Sequence, residues 1–261
     1  MGREIIVHDS PKAPVSESIR LLRTNLEFMC GNKKNQILLF TSAAPGDGKS
    51  WVTANLAIAY AQSGKNVLLV DADLRKGRQH KIFSKFNRSG FSDYIKSMSD
   101  EIVADNDVHE EILMKSMLNT EVGNLFLITS GTVPPNPTEL LNSKYIDSFL
   151  DLVKDNFDVI IFDMPPVSIV ADSLVLCKKV DYVVLVAAAE ETKKDVLINA
   201  QKSIKQVNGK IAGIVFNKMP IAKRKDYVKY YSHYADDSLP SVTSKDVSKT
   251  TSNIKRRRTR S

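Results

Sequence analysis

Short apolar runs alternate along this chain with longer segments of helical periodicity. The runs carry apolar residues at successive positions rather than at alternate ones, as strands do when both faces of their sheet are buried. Six such runs predict strands at residues 37–41, 67–71, 125–129, 159–163, 182–187 and 213–217. Because the alternation with helices is typical of βαβ units, we predict an α/β fold whose twisted sheet is mostly parallel and carries helices on both faces.

The pattern weakens in two places. Residues 79–123 are more polar and predict helices joined by loops. From Lys223 the apolar periodicity fades, and we expect the residues from about Ser238 onward to be disordered. The predicted organisation is therefore one domain over residues 1–237, followed by a tail over residues 238–261.

Composition narrows the class of protein. The chain has 261 residues, of which 43% are hydrophobic, enough to bury a sizeable core in one domain. It shows no signal-type apolar segment and no run of about 18 apolar residues, so we expect a cytoplasmic protein. Two cysteines, Cys30 and Cys177, are too few to predict a disulfide framework or a metal cluster.

The net charge is unevenly distributed. It is +7 for the whole chain, and much of the excess lies in residues 254–261. Such a basic run can bind phosphates, acidic lipid headgroups or acidic proteins. A solvated tail is the slightly preferred interpretation and contact with a membrane surface the second. We expect no nucleic acid partner, because the rest of the chain is much closer to neutral.

A phosphate-binding loop follows the first predicted strand. Residues 43–50 read Ala-Ala-Pro-Gly-Asp-Gly-Lys-Ser and precede a helix predicted over residues 51–62, which is the strand, loop and helix order of a P-loop. Its glycines let backbone N–H groups approach phosphate oxygens, its lysine supplies a cation, and its serine offers a hydroxyl to Mg²⁺. Ala43 stands where glycine is commoner, so the backbone at this position must not need a positive φ. The predicted nucleotide-binding residues here are Ala44, Pro45, Gly46, Asp47, Gly48, Lys49, Ser50 and Trp51.

Acidic residues end two of the predicted strands. Asp71 and Asp73 follow the second strand, and Asp163 ends the fourth. Carboxyl ends of parallel strands line one crevice, so these three side chains should converge on the phosphates. A single aspartate at a strand end is often only a helix cap, but three beside a P-loop favour a chemical role. We predict that Ser50 binds Mg²⁺ directly and that Asp71 and Asp163 hold it directly or through water.

These motifs resemble the MinD/ParA-like class of P-loop ATPases and, within it, the bacterial tyrosine kinases. Most MinD/ParA-like proteins carry a signature lysine where this chain has Ala44, and the tyrosine kinases lack that lysine too. The resemblance rests on residues 42–50, 69–76 (Leu-Val-Asp-Ala-Asp-Leu-Arg-Lys), 131–141 (Gly-Thr-Val-Pro-Pro-Asn-Pro-Thr-Glu-Leu-Leu) and 162–167 (Phe-Asp-Met-Pro-Pro-Val). It covers the chain from about Glu17 to Tyr234. Gly77 departs from it, since relatives often carry proline there.

The resemblance implies a protein-tyrosine kinase that uses ATP and Mg²⁺, phosphorylates itself and regulates the synthesis and export of a capsular or extracellular polysaccharide. Lys49, Asp71 and Asp73 are the catalytic candidates, and one of the two aspartates, preferably Asp71, would accept the tyrosine proton. Asn217, at the end of the last predicted strand, would contact adenine. From the sequence, a turn residue after a strand explains Asn217 equally well.

Glu17, Arg20 and Arg23 are spaced by three on a predicted N-terminal helix, which places them near one face. The sequence alone favours an exposed helix with a weak pair between a glutamate and an arginine. The resemblance implies instead that this motif joins neighbouring subunits into a ring, with the two arginines as donors of intersubunit ion pairs.

A cluster of tyrosines lies where the core periodicity ends. Its spacing also fits an amphipathic final helix that docks one aromatic face. The resemblance implies that the cluster is autophosphorylated between subunits of the ring, and that the added charge favours ring disassembly. The tyrosines are Tyr227, Tyr230, Tyr231 and Tyr234.

Two other functions stay open on the sequence. One is a positioning ATPase of the MinD/ParA kind, against which Ala44 and the tyrosine cluster argue. The other is a scaffold that ATP merely orders into a ring. For the kinase, the resemblance further implies protein tyrosines as substrates and a transmembrane activator of the polysaccharide co-polymerase type, which would recruit the chain to the inner face of the cell membrane.

Overall fold

One seven-stranded sheet organises the described part of the chain. The computed structural model describes residues 4–31, 33–100 and 106–219. The strands are β1 (Gln36–Ser42), β2 (Val67–Asp71), β3 (Leu118–Asn119), β4 (Leu125–Ile128), β5 (Val159–Asp163), β6 (Tyr182–Ala188) and β7 (Ile211–Asn217). The helices are α1 (Ile6–Asp9), α2 (Pro14–Met29), α3 (Lys49–Gln62), α4 (Gln79–Ile82), α5 (Phe91–Asp100), α6 (Asn106–Ser116), α7 (Pro137–Leu141), α8 (Tyr145–Asn156), α9 (Asp172–Cys177) and α10 (Lys194–Gln206).

The strand order is β3-β4-β2-β5-β1-β6-β7. Each neighbouring pair in this sheet is parallel except β3 with β4. The strand before the P-loop, β1, therefore lies inside the sheet between β5 and β6. The register of β2 on β5 pairs Asp71 with Asp163, so the last residues of these strands lie side by side at one edge. The predicted α/β fold with a mostly parallel sheet is confirmed.

Both faces of the sheet are buried, as the unbroken apolar runs predict. Along β1, Ile37 and Leu39 belong to one hydrophobic cluster, which includes residues of α5, α8 and α10. Leu38 and Phe40 belong to a second cluster, which includes residues of α1, α2 and α3. Each of these four side chains is at most 1% exposed, and burial of such a side chain contributes roughly 1.5–3 kcal/mol. The P-loop strand is therefore fixed from both sides.

Helix α3 is buried on almost every side, because the sheet lies beneath it and α1 and α2 cover it. A helix in that position needs no polar face, and small residues such as Ala54, Ala57 and Ala59 allow close packing. It begins at Lys49, two residues earlier than predicted. The P-loop lysine and serine thus lie on a rigid first turn.

Most predicted strands differ from the observed ones by one or two residues at an end, and β2 and β5 have the predicted bounds. The helices predicted in residues 79–123 are present as α4, α5 and α6, but the sequence did not predict β3, which also lies there and pairs antiparallel with β4. Two residues are too short to show an alternating pattern. The predicted boundary at residues 237 and 238, like the tail, lies outside the described residues. In the part that the structure describes, no helix is both long and apolar enough to cross a bilayer.

Candidate active site

The P-loop backbone has the conformation that its glycines allow. Gly46 and Gly48 have φ values of 85° and 87°, a region that L-residues with a side chain rarely adopt. Ala43 is not among the described residues with positive φ, so its methyl group is tolerated in the core. A Cβ added to Gly48 would lie 2.1 Å from Asn217 Nδ2, so any side chain at this position would also clash with Asn217.

Asp47 holds the P-loop in place through hydrogen bonds within the loop and to residues at or just after the ends of β6 and β7. One carboxylate oxygen accepts a hydrogen bond from the Ala44 N–H (2.7 Å) and the other from the Thr192 hydroxyl (2.7 Å). The Asn217 side chain donates to the Asp47 carbonyl at 2.9 Å. Thr192 follows β6 and Asn217 ends β7, so the loop is tied to the ends of these two strands. Asn217 therefore lies against the P-loop.

The first turn of α3 opens toward the same loop. Its N-cap is Gly48, and no side chain within the described ranges caps it. The leading N–H groups and the positive end of the helix dipole can therefore serve a bound anion. Trp51 lies one residue beyond Ser50 and packs, partly buried, against the cluster of α1, α2 and α3.

Lys49 joins the loop to the acidic strand ends. Its ammonium nitrogen is 3.0 Å from Asp73 Oδ2, 3.4 Å from Asp163 Oδ1 and 3.3 Å from Ser50 Oγ. Burial alone would lower the pKa of this ammonium, but the charges of Asp163 and Asp73 outweigh burial and raise its pKa above the ordinary value. Lys49 is therefore a protonated cation in the site.

Asp71 and Asp163 form a pair of buried carboxylates at adjacent strand ends. Asp71 Oδ2 accepts a hydrogen bond from the Gln79 N–H at 2.9 Å, whereas Asp71 Oδ1 is buried without a hydrogen-bond partner in residues 4–31, 33–100 and 106–219. Burial first, and then the neighbouring charge of Asp163, raise the pKa of Asp71 well above its usual range. The two carboxylates are therefore costly to bury side by side, and one of their oxygens, Asp71 Oδ1, has no hydrogen-bond partner in the described part of the chain.

Asp73 differs from Asp71 in that both of its oxygens are engaged. Oδ2 pairs with Lys49, and Oδ1 accepts the Lys76 N–H at 3.0 Å. The second bond holds the turn after β2 in place. The structure thus brings Lys49, Ser50 and all three predicted aspartates together at one edge of the sheet.

Sequence reasoning missed Gln79. Its side-chain nitrogen lies 2.8 Å from Asp163 Oδ2, 3.0 Å from the Ser50 carbonyl and 2.9 Å from Thr53 Oγ1, and its backbone N–H contacts Asp71. The side chain is fully buried. Its place shortly after the Asp-x-Asp segment was the one signal, and it does not distinguish Gln79 from its neighbours.

Sequence reasoning also missed a group of side chains that joins the loop after β2 to two helices, away from the pair of Asp71 and Asp163. Arg75 Nε and one terminal nitrogen bind the two oxygens of Asp172 at 2.7 and 3.1 Å, and Thr138 donates to the same carboxylate. Burial would raise the pKa of Asp172, but the hydrogen bonds from Arg75 and Thr138 outweigh it and lower the pKa. These contacts fix the loop after β2 to α7 and α9.

The predicted oligomerisation residues lie on α2, away from the strand ends. Arg20 pairs with Glu17 within the helix at 3.0 Å, which is the arrangement expected from the sequence alone. Arg23 donates to the Ala59 carbonyl of α3 at 3.0 Å and so packs within its own subunit. The predicted phosphorylation cluster, Tyr227, Tyr230, Tyr231 and Tyr234, lies outside the described residues.

The residues fit a magnesium nucleotide. The uncapped first turn of α3 suits phosphates, and the open oxygen of Asp71 suits a cation. Within the described ranges no group of three or more His, Cys, Asp and Glu side chains forms a metal site of its own. Mg²⁺ usually binds through one or two carboxylates together with waters and substrate phosphates, so this donor set matches that cation.

Fold and site together define a P-loop nucleotide-binding protein. A family model described as AAA domain (AAA_31) matches residues 35–214. Over 233 residues the chain is 36% identical to the tyrosine-protein kinase YwqD of Bacillus subtilis, covering 88% of this chain and 92% of that one.

Two solved structures resemble it closely. The chimerical protein CapA2B2 superposes with a TM-score of 0.75 at 36% identity, covering 84% of this chain and 92% of that one. The kinase domain of the Escherichia coli tyrosine kinase ETK superposes with a TM-score of 0.73 at 32% identity, covering 83% and 82%. The chain belongs to the bacterial tyrosine-protein kinases.

Proposed function

We propose that this kinase binds ATP with Mg²⁺ at the P-loop and transfers the γ-phosphoryl group to tyrosines of a neighbouring copy. The observation that best supports the proposal is the convergence of Lys49, Ser50 and three aspartates at the end of the P-loop strand. Phosphoryl transfer depends on positioning and charge neutralisation, and this arrangement supplies both.

Nucleotide binding uses the P-loop backbone. The N–H groups made accessible at Gly46 and Gly48, together with the first turn of α3, bind phosphate oxygens, and the protonated Lys49 offsets their charge. Asn217 already donates to the Asp47 carbonyl, so its amide oxygen is the atom that we assign to the adenine amino group. The residues of the proposed nucleotide site are Ala44, Pro45, Gly46, Asp47, Gly48, Lys49, Ser50, Trp51 and Asn217.

Ser50, Asp71 and Asp163 hold the magnesium ion in this proposal, directly or through water. When bound, Mg²⁺ supplies positive charge to the phosphates during transfer. The Ser50 hydroxyl lies on the rigid first turn of α3, and the two carboxylates lie on adjacent strands. Their positions are therefore set by the sheet and not by mobile loops.

Asp71 is the residue that we assign to the tyrosine proton. A tyrosine hydroxyl has a pKa near about 10, so its proton must leave as its oxygen bonds to phosphorus. The bond from phosphorus to the bridging oxygen breaks at the same time, and ADP leaves. Both oxygens of Asp73 are occupied, whereas the Oδ1 atom of Asp71 has no partner among the described residues and the pKa of Asp71 is raised. In this role Asp71 would hold Mg²⁺ through water and keep Oδ1 for the proton.

Helix α2 is the proposed contact between subunits. Leu21 and Phe28 are 60% and 80% exposed and lie two turns apart on its outer side, next to the exposed pair of Glu17 and Arg20. Large apolar side chains on a polar helix are suited to burial against a second copy. Arg20 is the better placed intersubunit donor, because Arg23 already binds Ala59.

We further propose that the kinase regulates the synthesis and export of a capsular or extracellular polysaccharide, at the inner face of the cell membrane. A transmembrane activator of the polysaccharide co-polymerase type would recruit it there. The support is the family together with the similarity to the chimerical protein CapA2B2. Low activity of the chain alone and stimulation by the cytosolic tail of the activator are expected.

The test is a map of phosphotyrosine by mass spectrometry after incubation with Mg-ATP, with and without that cytosolic tail. Phosphate is expected at Tyr227, Tyr230, Tyr231 or Tyr234, and Lys49→Met should abolish it. Lys65→Met, which removes an exposed lysine between α3 and β2, is the matched control and should keep the signal. Unmodified tyrosines in both wild-type samples would refute the kinase proposal.

A further inference from the structure

Gln79 is a buried amide at the meeting point of three elements that carry the proposed chemistry. It is the first residue of α4 and is fully buried. Its backbone N–H binds Asp71 at the end of β2, and its side chain binds Asp163 at the end of β5 and the first turn of α3. No other role in the proposed function falls to Gln79.

The contacts divide the oxygens of the two carboxylates. Gln79 donates to the Oδ2 atom of Asp71 and to the Oδ2 atom of Asp163. The Oδ1 atom of Asp163 faces Lys49, and the Oδ1 atom of Asp71 is the buried oxygen without a partner in the described part of the chain. One oxygen of each aspartate is therefore fixed on Gln79, and the other points toward the P-loop lysine or stays open.

The same amide holds the P-loop helix. Its nitrogen lies within hydrogen-bond distance of the Ser50 carbonyl and of Thr53 Oγ1, whose hydroxyl also donates to the Ser50 carbonyl. The side chain of Gln79 thus sets Asp163 relative to the first turn of α3, and the backbone N–H of the same residue holds Asp71. Two buried carboxylates at adjacent strand ends repel each other, and donors at Gln79 offset that repulsion.

Packing alone does not explain why a side-chain amide is buried at position 79. The Gln79 side-chain oxygen is itself buried without a hydrogen-bond partner among the described residues, which costs free energy that an apolar residue of similar size would avoid. The contribution of glutamine at this position is therefore the hydrogen-bond donors on its side-chain nitrogen.

We propose that Gln79 is a positioning residue, which sets Asp71 and Asp163 relative to Ser50 and thereby determines how much Mg²⁺ strengthens nucleotide binding. The inference rests on the proposed function, because it takes these three residues as the magnesium ligands. Partners that orient metal ligands change metal affinity by roughly 10- to 100-fold when they are removed.

The experiment measures the dissociation constant of ADP by calorimetry on the full chain, once with Mg²⁺ and once with EDTA. Gln79→Met fills the same space without the side-chain donors to Asp163 and the Ser50 carbonyl, and keeps the backbone N–H that binds Asp71. The matched control is Asn55→Ala, which removes another buried amide, one bound to Val7, Glu4 and Trp51 and to none of the carboxylates. Thermal melting is recorded for each variant, and Gln79→Asn, one methylene shorter, is the second variant if Gln79→Met does not fold.

In the wild type, Mg²⁺ should strengthen ADP binding. Gln79→Met should lose about 10-fold or more of that gain while its affinity in EDTA stays within about 2-fold of wild type, and Asn55→Ala should keep the gain despite a lower melting temperature. A gain retained by Gln79→Met within about 2-fold would overturn the inference and leave the proposed function intact. Equal losses with and without Mg²⁺ would also overturn it, because they indicate a distorted P-loop. A wild type without any gain would overturn the proposed magnesium site and this inference together.

Discussion

Substitution of Arg75 and substitution of its partner Asp172 should destabilise the domain to different extents. Asp172 is fully buried, whereas the Arg75 side chain is 40% exposed, and two hydrogen bonds of 2.7 and 3.1 Å join them. Arg75→Met removes the guanidinium and leaves a buried carboxylate that Thr138 still contacts. Asp172→Asn instead leaves an arginine that can turn toward water. The first substitution should therefore destabilise the domain more than the second.

The magnitude follows from the burial of the two partners. Removal of one partner from a fully buried pair costs about 3–5 kcal/mol, but solvent reaches Arg75, so we expect about 2 kcal/mol for Arg75→Met. Asp172→Asn should cost about 1 kcal/mol, the value of ordinary hydrogen bonds. For a domain of this size, 2 kcal/mol lowers the melting temperature by about 4–8 °C.

The cost of Arg75→Met should also depend on pH. The pKa of Asp172 is lowered in the folded state, because hydrogen bonds from Arg75 and Thr138 outweigh the effect of burial. A carboxylate with a lowered pKa stabilises the fold above its unfolded value of about 3.9, and this contribution is lost as the pH falls through the folded value. Without Arg75, burial raises the pKa of Asp172, so the difference from wild type should be full at neutral pH and shrink on acidification.

Urea denaturation of wild type and variants, at neutral pH and at several acidic pH values, measures these free energies of unfolding. The matched control is Arg78→Met, which removes a 58% exposed arginine paired with Glu4 and should cost under about 0.5 kcal/mol. If Asp172→Asn proved as costly as Arg75→Met, or if the cost of Arg75→Met did not change with pH, the reasoning from buried charge would be refuted.

Three further predictions concern the loop, the outer helix and a buried thiol. Gly48→Ala forces a residue with a side chain to φ 87° and places its Cβ against Asn217, so ADP affinity measured by calorimetry should fall at least about tenfold while the fold persists; unchanged affinity would contradict this. Leu21→Glu with Phe28→Glu should leave the protein folded but lower its mass in light scattering toward that of the monomer, and an unchanged oligomer would argue against α2 as the contact. Burial raises the pKa of Cys177 to about 12, so a disulfide reagent at pH 8 should label this thiol only as fast as the domain opens, and rapid labelling of folded protein would be inconsistent with its burial.

The sequence predicted those parts of the site that local patterns encode. The bounds of β2 and β5 followed from unbroken apolar runs, and the meeting of Asp71 with Asp163 followed from the rule that parallel strands end at one edge. The P-loop followed from its glycines and its place between a strand and a helix. Each strand and loop was recognised from its own short stretch of sequence, and the rule for parallel sheets then brought Asp71 and Asp163 together.

The contacts that the sequence did not predict join distant positions. Gln79 meets Asp163 across 84 positions, and Arg75 meets Asp172 across 97. No spacing rule distinguishes these side chains from their neighbours, because their partners are set by the packing of loops on the finished sheet. The roles of Glu17 and Arg20 stay a prediction, since the pair within one subunit is compatible with a second copy beside it.

The central claim is that the site of one copy phosphorylates the tyrosines of another, and a mixing experiment tests it most directly. The acceptor is full-length Lys49→Met, which keeps its tyrosines, and the donor is wild type in its active site but carries phenylalanine at Tyr227, Tyr230, Tyr231 and Tyr234. Both are incubated with Mg-ATP and the cytosolic tail of the activator, and the acceptor is then analysed by mass spectrometry. We predict phosphate on the acceptor's tyrosine cluster, in the mixture and not in the acceptor alone; an acceptor that stays unmodified in the mixture, while wild type labels itself under the same conditions, would contradict the account.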